Sequence, residues 1–421
     1  MVYVINKNGK PLMPTNRYGK VRHLLKNKQA KVVRKTPFTI QLLYETTNYI
    51  QDINLGVDAG SKHIGISATT ETDVLLEADI ELRNDIVDKL STRREARRSR
   101  RNRKTRYRQP RFLNRVKTKK KGWLAPSVQH TIDTHLSIIE LVYKLLPISK
   151  IIVEVASFDI QKIKNPNISG VEYQQGEQLD FWNVREYVLF RDNYTCQCCE
   201  GKSNDKILNV HHIESRKVGG NAPNNLITLC EICHNDYHNG KIKLPSHIKR
   251  GMKFNDATFM GIMRWAFYNK LKNIYSNVSL TFGYITKNTR IEHNLPKEHY
   301  IDARCISGNP KATTDKCNNI VYYFKKVRRH NRQLHKFVPN KKGIRQNNQA
   351  PFKVFNFRLF DKVKYKRQIC FVNGRRQSGY FSLKDINNNL VGNGNVSYKK
   401  LHFIEPVKGF MIQQKPILIN I

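Results

Sequence analysis

The segment from Cys196 to His238 constrains this chain most. It contains two Cys-x-x-Cys pairs that bracket an adjacent histidine doublet, an asparagine and a closing His-x-x-x-His. Four thiolates in two such pairs match what tetrahedral Zn²⁺ requires, and a bound ion would hold together a segment too short to bury a core of its own. We therefore expect Cys196, Cys199, Cys230 and Cys233 to bind structural zinc.

The histidines of this segment are not needed for the zinc site and could have a separate function. In a His-Asn-His nuclease arrangement, one histidine of a doublet and the terminal histidines hold a divalent metal on a scissile phosphate, while the other histidine removes a proton from the attacking water. The alternative is a purely structural zinc knuckle with incidental surface histidines. Two cysteine pairs, the doublet and a strand-like Asn-Leu-Ile-Thr-Leu-Cys stretch together favour a ββα metal-dependent DNase module. Cys198 is a spare thiol outside the ligand set.

The charge of the chain indicates its partner. The sequence has 75 Lys and Arg against 33 Asp and Glu, a formal net charge of +42. Such a chain repels itself unless a polyanion neutralises it, so nucleic acid is the expected partner. Basic ribosomal or chromatin proteins would share the charge but not the nuclease segment.

Length and cysteine usage bound the class of protein. With 421 residues, 39% of them hydrophobic, the chain can bury more than one core, and we expect two or three domains. The first residues lack the apolar stretch and small-residue cleavage site of a signal peptide, and no uninterrupted apolar run approaches the roughly 18 to 20 residues of a membrane span. Cys305, Cys317 and Cys370 are isolated. These features predict a protein of a reducing bacterial cytosol without a membrane partner.

Residues 93 to 121 carry the densest positive charge. No Gly or Pro interrupts Ser91 to Gln109, so a helix is available there once its charges are neutralised. It has no apolar face, and its guanidinium groups could pair phosphate oxygens on several sides. A disordered basic tail is the alternative, but the run is internal and precedes a periodic helix around Ile132 to Leu146. The arginines concerned are Arg93, Arg94, Arg97, Arg98, Arg100, Arg101, Arg103, Arg106 and Arg108.

Three acids lie in or beside apolar elements. Asp58 ends the first of two predicted strands joined by a glycine turn, and Glu154 interrupts the apolar strand Ile-Val-Glu-Val. After a predicted strand around Val278 to Thr286, His299 and Asp302 are three residues apart and would share a helix face.

Each acid also has an ordinary explanation as a turn residue, a salt-bridge partner or a helix-face charge. A carboxylate inside an apolar strand is costly to bury unless it binds a metal or a cation. Three acids brought together by an α/β sheet could hold two Mg²⁺ ions about 3.5 to 4 Å apart for phosphodiester hydrolysis.

The order of these parts resembles the IscB proteins, which are transposon-encoded RNA-guided nucleases regarded as relatives of the ancestors of type II CRISPR effectors. The stretch Pro11-Leu12-Met13-Pro14 is similar to the Pro-Leu-Met-Pro signature of that family's N-terminal domain. The resemblance covers nearly the whole chain.

The resemblance implies an α/β fold: a split RNase H-like (RuvC-type) core, an inserted zinc-bearing ββα HNH module, an arginine-rich bridge helix and a small β-rich C-terminal domain. Alternating aromatic and β-branched residues from Tyr365 to Phe381 also indicate a β-rich end. The expected pieces are the N-terminal domain 1–50, the RuvC-like segments 51–82, 123–171 and 249–312, the bridge helix 83–122, the HNH insertion 172–248 and the C-terminal domain 313–421.

The resemblance also implies residue roles. Asp58, Glu154 and Asp302 would bind Mg²⁺, with His299 beside them to activate water or steady charge at the phosphate. In the inserted module His212 would be the general base, His211 a ligand of the catalytic metal, and Asn225 the residue that orients the base or its loop. Many relatives carry Asp where His211 stands. The set His211, His234 and His238 resembles more closely the metal triad of colicin-type His-Asn-His nucleases.

The function implied is RNA-guided cleavage of double-stranded DNA by a monomer in a ribonucleoprotein. The HNH module would cut the RNA-paired strand and the RuvC-like centre the displaced strand, while the arginine helix would grip the guide RNA. The C-terminal domain would contact that RNA and read a short motif beside the target. Two alternatives are a protein-only endonuclease and a non-catalytic RNA-binding accessory protein of a transposon.

Overall fold

The computed structural model describes residues 1–102, 122–155, 183–215, 220–251, 255–314, 320–328 and 351–416. The chain divides into two compact units. Unit 1 combines Met1–Ala156 with Met260–Ile421, and unit 2 is Ser157–Phe259. Within the described part of the chain, no helix has the length and apolar composition needed to cross a membrane.

Strands occur in runs along the chain, with helices between some of the runs. The strands are β1 Tyr3–Ile5, β2 Ala30–Arg34, β3 Thr39–Leu42, β4 Asn54–Ala59, β5 His63–Thr69, β6 Val74–Glu81, β7 Lys150–Val155, β8 Leu208–His212, β9 Leu226–Cys230, β10 Val278–Phe282, β11 Ile320–Lys326, β12 Lys362–Tyr365, β13 Gln368–Arg375, β14 Tyr380–Lys384, β15 Leu390–Ser397, β16 His402–Glu405 and β17 Phe410–Pro416. The helices are α1 Tyr18–Lys26, α2 Ile86–Asn102, α3 Pro126–Tyr143, α4 Val184–Arg191, α5 Glu231–His238, α6 Asn255–Ile274, α7 Gly283–Glu292 and α8 His299–Ile306. The mixed α/β class expected from the sequence is confirmed.

The core of unit 1 is a seven-stranded mixed sheet. Its strand order is β10-β7-β4-β5-β6-β11-β17. Strand β7 runs parallel to both β4 and β10, whereas β5 is antiparallel to both of its neighbours. Leu55, Val57, Ile64 and Ile66 are fully buried, because the central strands are covered on both faces and need apolar side chains there. The two strands and the glycine turn predicted around Asp58 are therefore present.

Helix α8 lies directly on β4 and β5, and two glycines permit this contact. A Cβ atom placed on Gly56 would lie 1.9 Å from the carbonyl oxygen of Ala303, and one on Gly65 would lie 1.9 Å from that of His299. Only glycine allows the helix backbone to approach the strands this closely. This packing fixes the height and rotation of α8 above the sheet.

Two smaller sheets complete unit 1. Strands β1, β3 and β2 form a three-stranded sheet with α1, whose Val21 and Leu24 pack against Ile40. Strands β15-β14-β13-β12-β16 form an antiparallel sheet with its own apolar core. The β-rich end predicted from the sequence is thus found.

The region expected as one C-terminal domain, 313–421, is divided between two sheets. Strand β11 pairs in parallel with β6, and β17 pairs with β11, so both belong to the seven-stranded sheet. Their alternating apolar and polar residues predict strands but do not say which partner they pair with. The separate sheet therefore extends only from β12 to β16.

Unit 2 is built around a short hairpin and one helix. Strands β8 and β9 pair with His211 opposite Ile227, and α5 follows β9 directly. This is the ββα order predicted from the sequence. Asp192, at the end of α4, accepts two hydrogen bonds from Arg191, at 2.8 and 3.0 Å, and one from the backbone of Thr228 at 2.9 Å. The bond from Thr228 ties the end of α4 to β9.

Two elements begin or end differently from expectation. The strand predicted over Val278 to Thr286 ends at Phe282, because Gly283 begins α7. The arginine-rich helix begins at Ile86, before the arginine run, and is described through Asn102. Arg93, Arg94, Arg97 and Arg98 are exposed on it, as expected of a helix without an apolar face. The side chains of Arg100 and Arg101, and all of Arg103, Arg106 and Arg108, lie outside the described residues.

Candidate functional site

The four cysteines predicted to bind zinc form one cluster. The Sγ atoms of Cys196, Cys199, Cys230 and Cys233 all lie within 4.8 Å of one another. Cys196 and Cys199 belong to the turn after α4. Cys230 ends β9 and caps α5, where its Sγ accepts from the backbone N–H of Cys233. The hairpin and the helix start therefore bring the two pairs together, and a zinc-binding type of cluster is present.

Burial of these thiols disfavours their thiolate forms. It raises the pKa of Cys196 and of Cys233 above the usual range for cysteine. At Cys199 burial acts in the same direction but is outweighed, chiefly by hydrogen bonds from the side chain and backbone of Ser203, so its pKa falls to about 6. A divalent cation would remove the mutual repulsion of the four sulfurs and favour their deprotonation.

Three histidines form a second cluster in unit 2. One ring nitrogen from each of His211, His234 and His238 can be chosen so that all three lie within 4.8 Å of one another. His234 and His238 are one helical turn apart on α5 and share a face, while His211 comes from β8. The ring centroids are 4.6 to 5.3 Å apart. The arrangement can supply three imidazole ligands to one metal ion.

His211 is in the neutral form that a metal ligand requires. Burial, followed by the charges of His234 and His238, lowers the pKa of His211 to about 4, so the ring is neutral at pH 7. Its Nε2 is buried and has no hydrogen-bond partner among the described residues. A buried acceptor without a partner is costly unless something binds it, and a metal ion would satisfy it.

The other two residues of the predicted HNH site have different surroundings. His212 Nε2 is 3.1 Å from Asn221 Oδ1; because an amide oxygen can only accept, this nitrogen carries the proton and Nδ1 is the basic nitrogen. Asn225 is fully buried. It bonds the backbone of Glu214 and Gly220 and so closes the loop that follows the histidine doublet.

A different group of polar residues gathers in unit 1. Val57 on β4 lies opposite Val153 on the parallel strand β7, so the next residues, Asp58 and Glu154, are neighbours. Both are only 8% exposed. Arg264 on α6 contacts both: its guanidinium is 3.0 Å from Glu154 Oε1 and 3.9 Å from Asp58 Oδ1, and its Nε donates to the carbonyl of Ala59.

Helix α8 adds the predicted histidine and the third acid to this group, which we call the acid centre (Asp58, Glu154, His299 and Asp302). His299 Nδ1 donates to Asp58 Oδ2 at 2.8 Å, and this bond is the main reason that the pKa of His299 is raised. Asp302 forms an ion pair with Arg290 on α7 at 2.9 Å.

Mutual repulsion marks the acids as one electrostatic group. Burial and then the charge of Asp58 raise the pKa of Glu154, against the opposing charge of Arg264. Burial and then Asp58 also raise the pKa of Asp302. Clustered carboxylates of this kind favour a bound cation.

The acid centre is looser than the two clusters of unit 2. Within the described ranges, the cysteine and histidine sets are the groups of three or more potential ligands whose atoms all lie within 4.8 Å, and the three acids are not such a group. Arg264 and Arg290 neutralise them instead. Neither arginine was predicted from the sequence to belong to the site. A charge within the largely apolar run Phe-Met-Gly-Ile-Met-Arg-Trp-Ala-Phe was the available signal for Arg264.

His63 also lies beside the acid centre and was not predicted from the sequence. Its ring stacks on that of His299 with centroids 5.2 Å apart and planes at 6°, and its Nδ1 lies 3.0 Å from Asp79. The stack limits rotation of the His299 ring beside Asp58.

Two segments of the chain match known protein families. Residues 2–176 match the RRXRR protein family, and residues 196–240 match the HNH endonuclease family. Anaredoxin of Nostoc sp. (strain PCC 7120 / SAG 25.82 / UTEX 2576) is 39% identical over 65 residues, which are 15% of this chain and 83% of anaredoxin.

A solved structure is also similar in part. The crystal structure of Streptococcus thermophilus Cas9 in complex with the GGAA PAM aligns with 45% of this chain and 26% of that protein, at a TM-score of 0.29 and 13% identity. The chain thus spans about a quarter of the length of that protein.

Residues 196–240 therefore form an HNH endonuclease domain, which is the ββα unit with its cysteine and histidine clusters. The chain carries this domain together with an RRXRR domain, and over the shared 65 residues it belongs to the family of anaredoxin.

Proposed function

We propose that this protein is an RNA-guided DNA endonuclease of the IscB type. Its HNH domain cuts the DNA strand paired with a guide RNA, and its acid centre, as a RuvC-like site, cuts the displaced strand. The observation that carries the proposal is the presence of two separate groups of side chains that could bind metal: the histidine cluster in unit 2 and, more loosely arranged, the mutually repelling carboxylates of the acid centre in unit 1. With two such sites, each strand of a duplex can be cut at its own centre.

The histidine cluster fits a divalent metal. His211, His234 and His238 would hold the ion, since His211 is neutral and its buried Nε2 has no partner among the described residues. When bound, the ion would polarise the scissile phosphate and neutralise charge on it. His212 takes the proton of the attacking water on Nδ1, because its Nε2–H is held by Asn221. Asn225 keeps the neighbouring loop in place.

The acid centre fits Mg²⁺ by the chemistry of its ligands. Asp58, Glu154 and Asp302 are buried or half-buried carboxylates that repel one another, and oxygen ligands of this kind suit Mg²⁺. His299 is held on Asp58 and stacked on His63, so it can steady charge at a phosphate. The mixed sheet, with β5 alone antiparallel among the five strands from β10 to β6, supports an RNase H-type core.

RNA guidance is supported by charge and by the order of parts. The formal net charge of +42 needs a polyanion, and the exposed arginines of α2 can pair phosphate oxygens around the helix. A protein that grips a heteroduplex by backbone and shape leaves sequence reading to base pairing. The sequence order of acid, arginine helix, acid, HNH domain and His-x-x-Asp helix is that of the resembled family.

The decisive experiment is to express the chain with its native flanking DNA and sequence the RNA that stays bound in high salt. A single structured RNA that contains a segment matching nearby DNA would support guidance. That complex is then tested on a matched duplex with each strand labelled separately, using Asp58→Ala and His212→Ala variants. We expect each variant to cut one strand only, and opposite strands.

The rival functions predict other results. Mg²⁺-dependent cutting without a particular RNA would favour a protein-only endonuclease. Specific RNA binding without any cutting would favour a non-catalytic RNA-binding protein.

A further inference from the structure

An exposed aromatic pair lies at the C-terminal end of β10. Phe282 is the last residue of the strand and Tyr284 lies in the first turn of α7. Their rings are stacked, with centroids 6.1 Å apart and planes at 12°. The exposed fractions of the two residues are 38% and 66%. Large aromatic side chains held together in solvent offer a flat surface for another ring system.

The pair is adjacent to the acid centre. Thr281 lies opposite Glu154 in the β10–β7 pairing, and Phe282 lies opposite Val155. A Cβ atom on the intervening Gly283 would be 3.2 Å from Glu154 Oε1. The chain between the two aromatic residues therefore passes directly beside this carboxylate. The crevice at the carboxyl ends of parallel strands is also where α/β sheets bind their ligands.

The chemistry around the pair suits a nucleotide rather than an apolar partner. Lys287 follows Tyr284 by three residues on α7, so the cation and the aromatic ring share a helix face, and both are exposed. A base stacks on an aromatic ring, while a phosphate is attracted to a nearby cation. With a formal net charge of +42 on the chain, a polyanion is also the ligand favoured by long-range attraction.

We propose that Phe282 and Tyr284 form a stacking platform for an unpaired base of the strand cut at the acid centre. The proposal rests on the proposed function, because it assumes that the acid centre binds the backbone of that strand. A base in an intact duplex is already stacked between its neighbours and would have to be pulled out first, at a cost of a few kcal/mol. The platform therefore makes the acid centre selective for single-stranded DNA.

Crosslinking tests the platform without requiring cleavage. The full chain with its co-purified RNA is irradiated with a single-stranded DNA oligonucleotide that contains 5-iodouracil, and crosslinked peptides are mapped by mass spectrometry. We expect crosslinks at Phe282 or Tyr284, retained in Tyr284→Phe and lost in Tyr284→Ala. Tyr49→Ala, which removes an 86% exposed tyrosine elsewhere in unit 1, is the matched control and should retain them. Excess duplex of the same sequence should compete weakly.

Cleavage of the displaced strand gives the second readout. Stacking of one base contributes about 1 to 3 kcal/mol, so Tyr284→Ala should raise KM for single-stranded DNA roughly 5- to 150-fold, with the RNA-paired strand cut at the normal rate. If Asp58→Ala stops displaced-strand cutting while Tyr284→Ala and Phe282→Ala cut and crosslink like the parent, the platform is wrong and the proposed function stands. If Asp58→Ala changes neither strand, the acid centre is misassigned, and the crosslinks alone decide whether a base stacks at Tyr284.

Discussion

Asn225 bonds both backbone groups of Glu214. Its Oδ1 accepts from the Glu214 N–H at 2.9 Å, and its Nδ2 donates to the Glu214 carbonyl at 3.0 Å. A second bond from Nδ2, 3.0 Å long, reaches the carbonyl of Gly220. The asparagine of the HNH pattern thus acts on the loop after the histidine doublet, rather than on the doublet itself.

Removing this amide should loosen the loop. Asn225→Ala removes a fully buried amide that bonds three half-buried backbone groups, which costs about 2 kcal/mol. We expect a lower melting temperature of unit 2 and slower cutting of the RNA-paired strand. Asn225→Asp keeps the acceptor but turns a carboxylate oxygen toward two carbonyl oxygens, so it should not restore parental stability. Equal hydrogen-exchange rates for Glu214 in parent and Ala variant would contradict this role.

The His212–Asn221 pair should control proton transfer in the HNH domain. His212→Ala removes the proposed base and should slow cutting of the RNA-paired strand by about 10² to 10⁴. Asn221→Ala frees the ring to change tautomer and orientation, with an expected loss of about tenfold. Strand-specific cleavage rates measure both effects, and zinc content should not change. Asn239→Ala, at an exposed position after α5, is the control, and a similar loss there would show a general effect of asparagine removal.

Gly56 should be essential for the acid centre. In Gly56→Ala the new methyl group would meet the Ala303 carbonyl, so α8 must move away from β4 and carry His299 and Asp302 with it. We expect a loss of stability of about 2 kcal/mol and a large loss of displaced-strand cutting. Gly261→Ala is the matched control, because nothing lies within 4 Å of its Cβ, and helix propensity predicts a neutral or slightly stabilising change. Displaced-strand cutting at the parental rate in Gly56→Ala would refute the packing argument.

Zinc removal should unfold unit 2 selectively. Cys230→Ser replaces a buried member of the cysteine cluster, and structural zinc contributes about 10 kcal/mol or more to small domains. We expect one zinc fewer per chain by mass spectrometry and fast hydrogen exchange in Leu226–Cys230, with unit 1 still protected. Cys198→Ser alters the thiol outside the cluster and should retain the metal. Loss of zinc from the Cys198 variant as well would mean that the ligand set is different.

His135 should make stability fall in acid. Its ring is completely buried on α3, and burial lowers its pKa to about 4 from a usual value near 6.5. Below about pH 6.5 His135 becomes protonated in the unfolded chain but stays neutral in the native state. This contribution to stability is therefore complete above that pH, is lost as the pH falls, and levels off near 4. The difference amounts to about 3 kcal/mol.

Denaturant unfolding of parent and His135→Leu between pH 7 and 4 measures this linkage. The difference in free energy of unfolding between the two proteins should change across this range, because only the parent carries the buried imidazole. Parallel curves for the two proteins would contradict the assignment.

Local patterns predicted the parts of these sites that depend on spacing. Sequence spacing was sufficient to predict the Cys-x-x-Cys pairs, the His-x-x-x-His helix and the His-x-x-Asp helix, because each lies within one turn or one hairpin. The arginines that neutralise the three acids could not be predicted from the sequence. Arg264 meets Asp58 across the fold, and no local period encodes that distance along the chain. The place of β11 and β17 in the large sheet was not predicted for the same reason, since alternation predicts a strand and not its neighbour.

The placement of unit 2 between β7 and β10 has a consequence for synthesis of the protein. Asn277 donates to the carbonyl of Ser149 across a separation of 128 residues. The edge of β7 that pairs with β10 therefore stays unpaired until the whole insertion has been synthesised. An unpaired apolar edge is prone to wrong pairing during that time. An insertion that folds early around its own metal is more compact than an unfolded one, which lowers the entropy lost in joining β10 to β7. Zinc supply during translation would then set the yield of folded unit 1, although unit 1 holds none of the four zinc ligands.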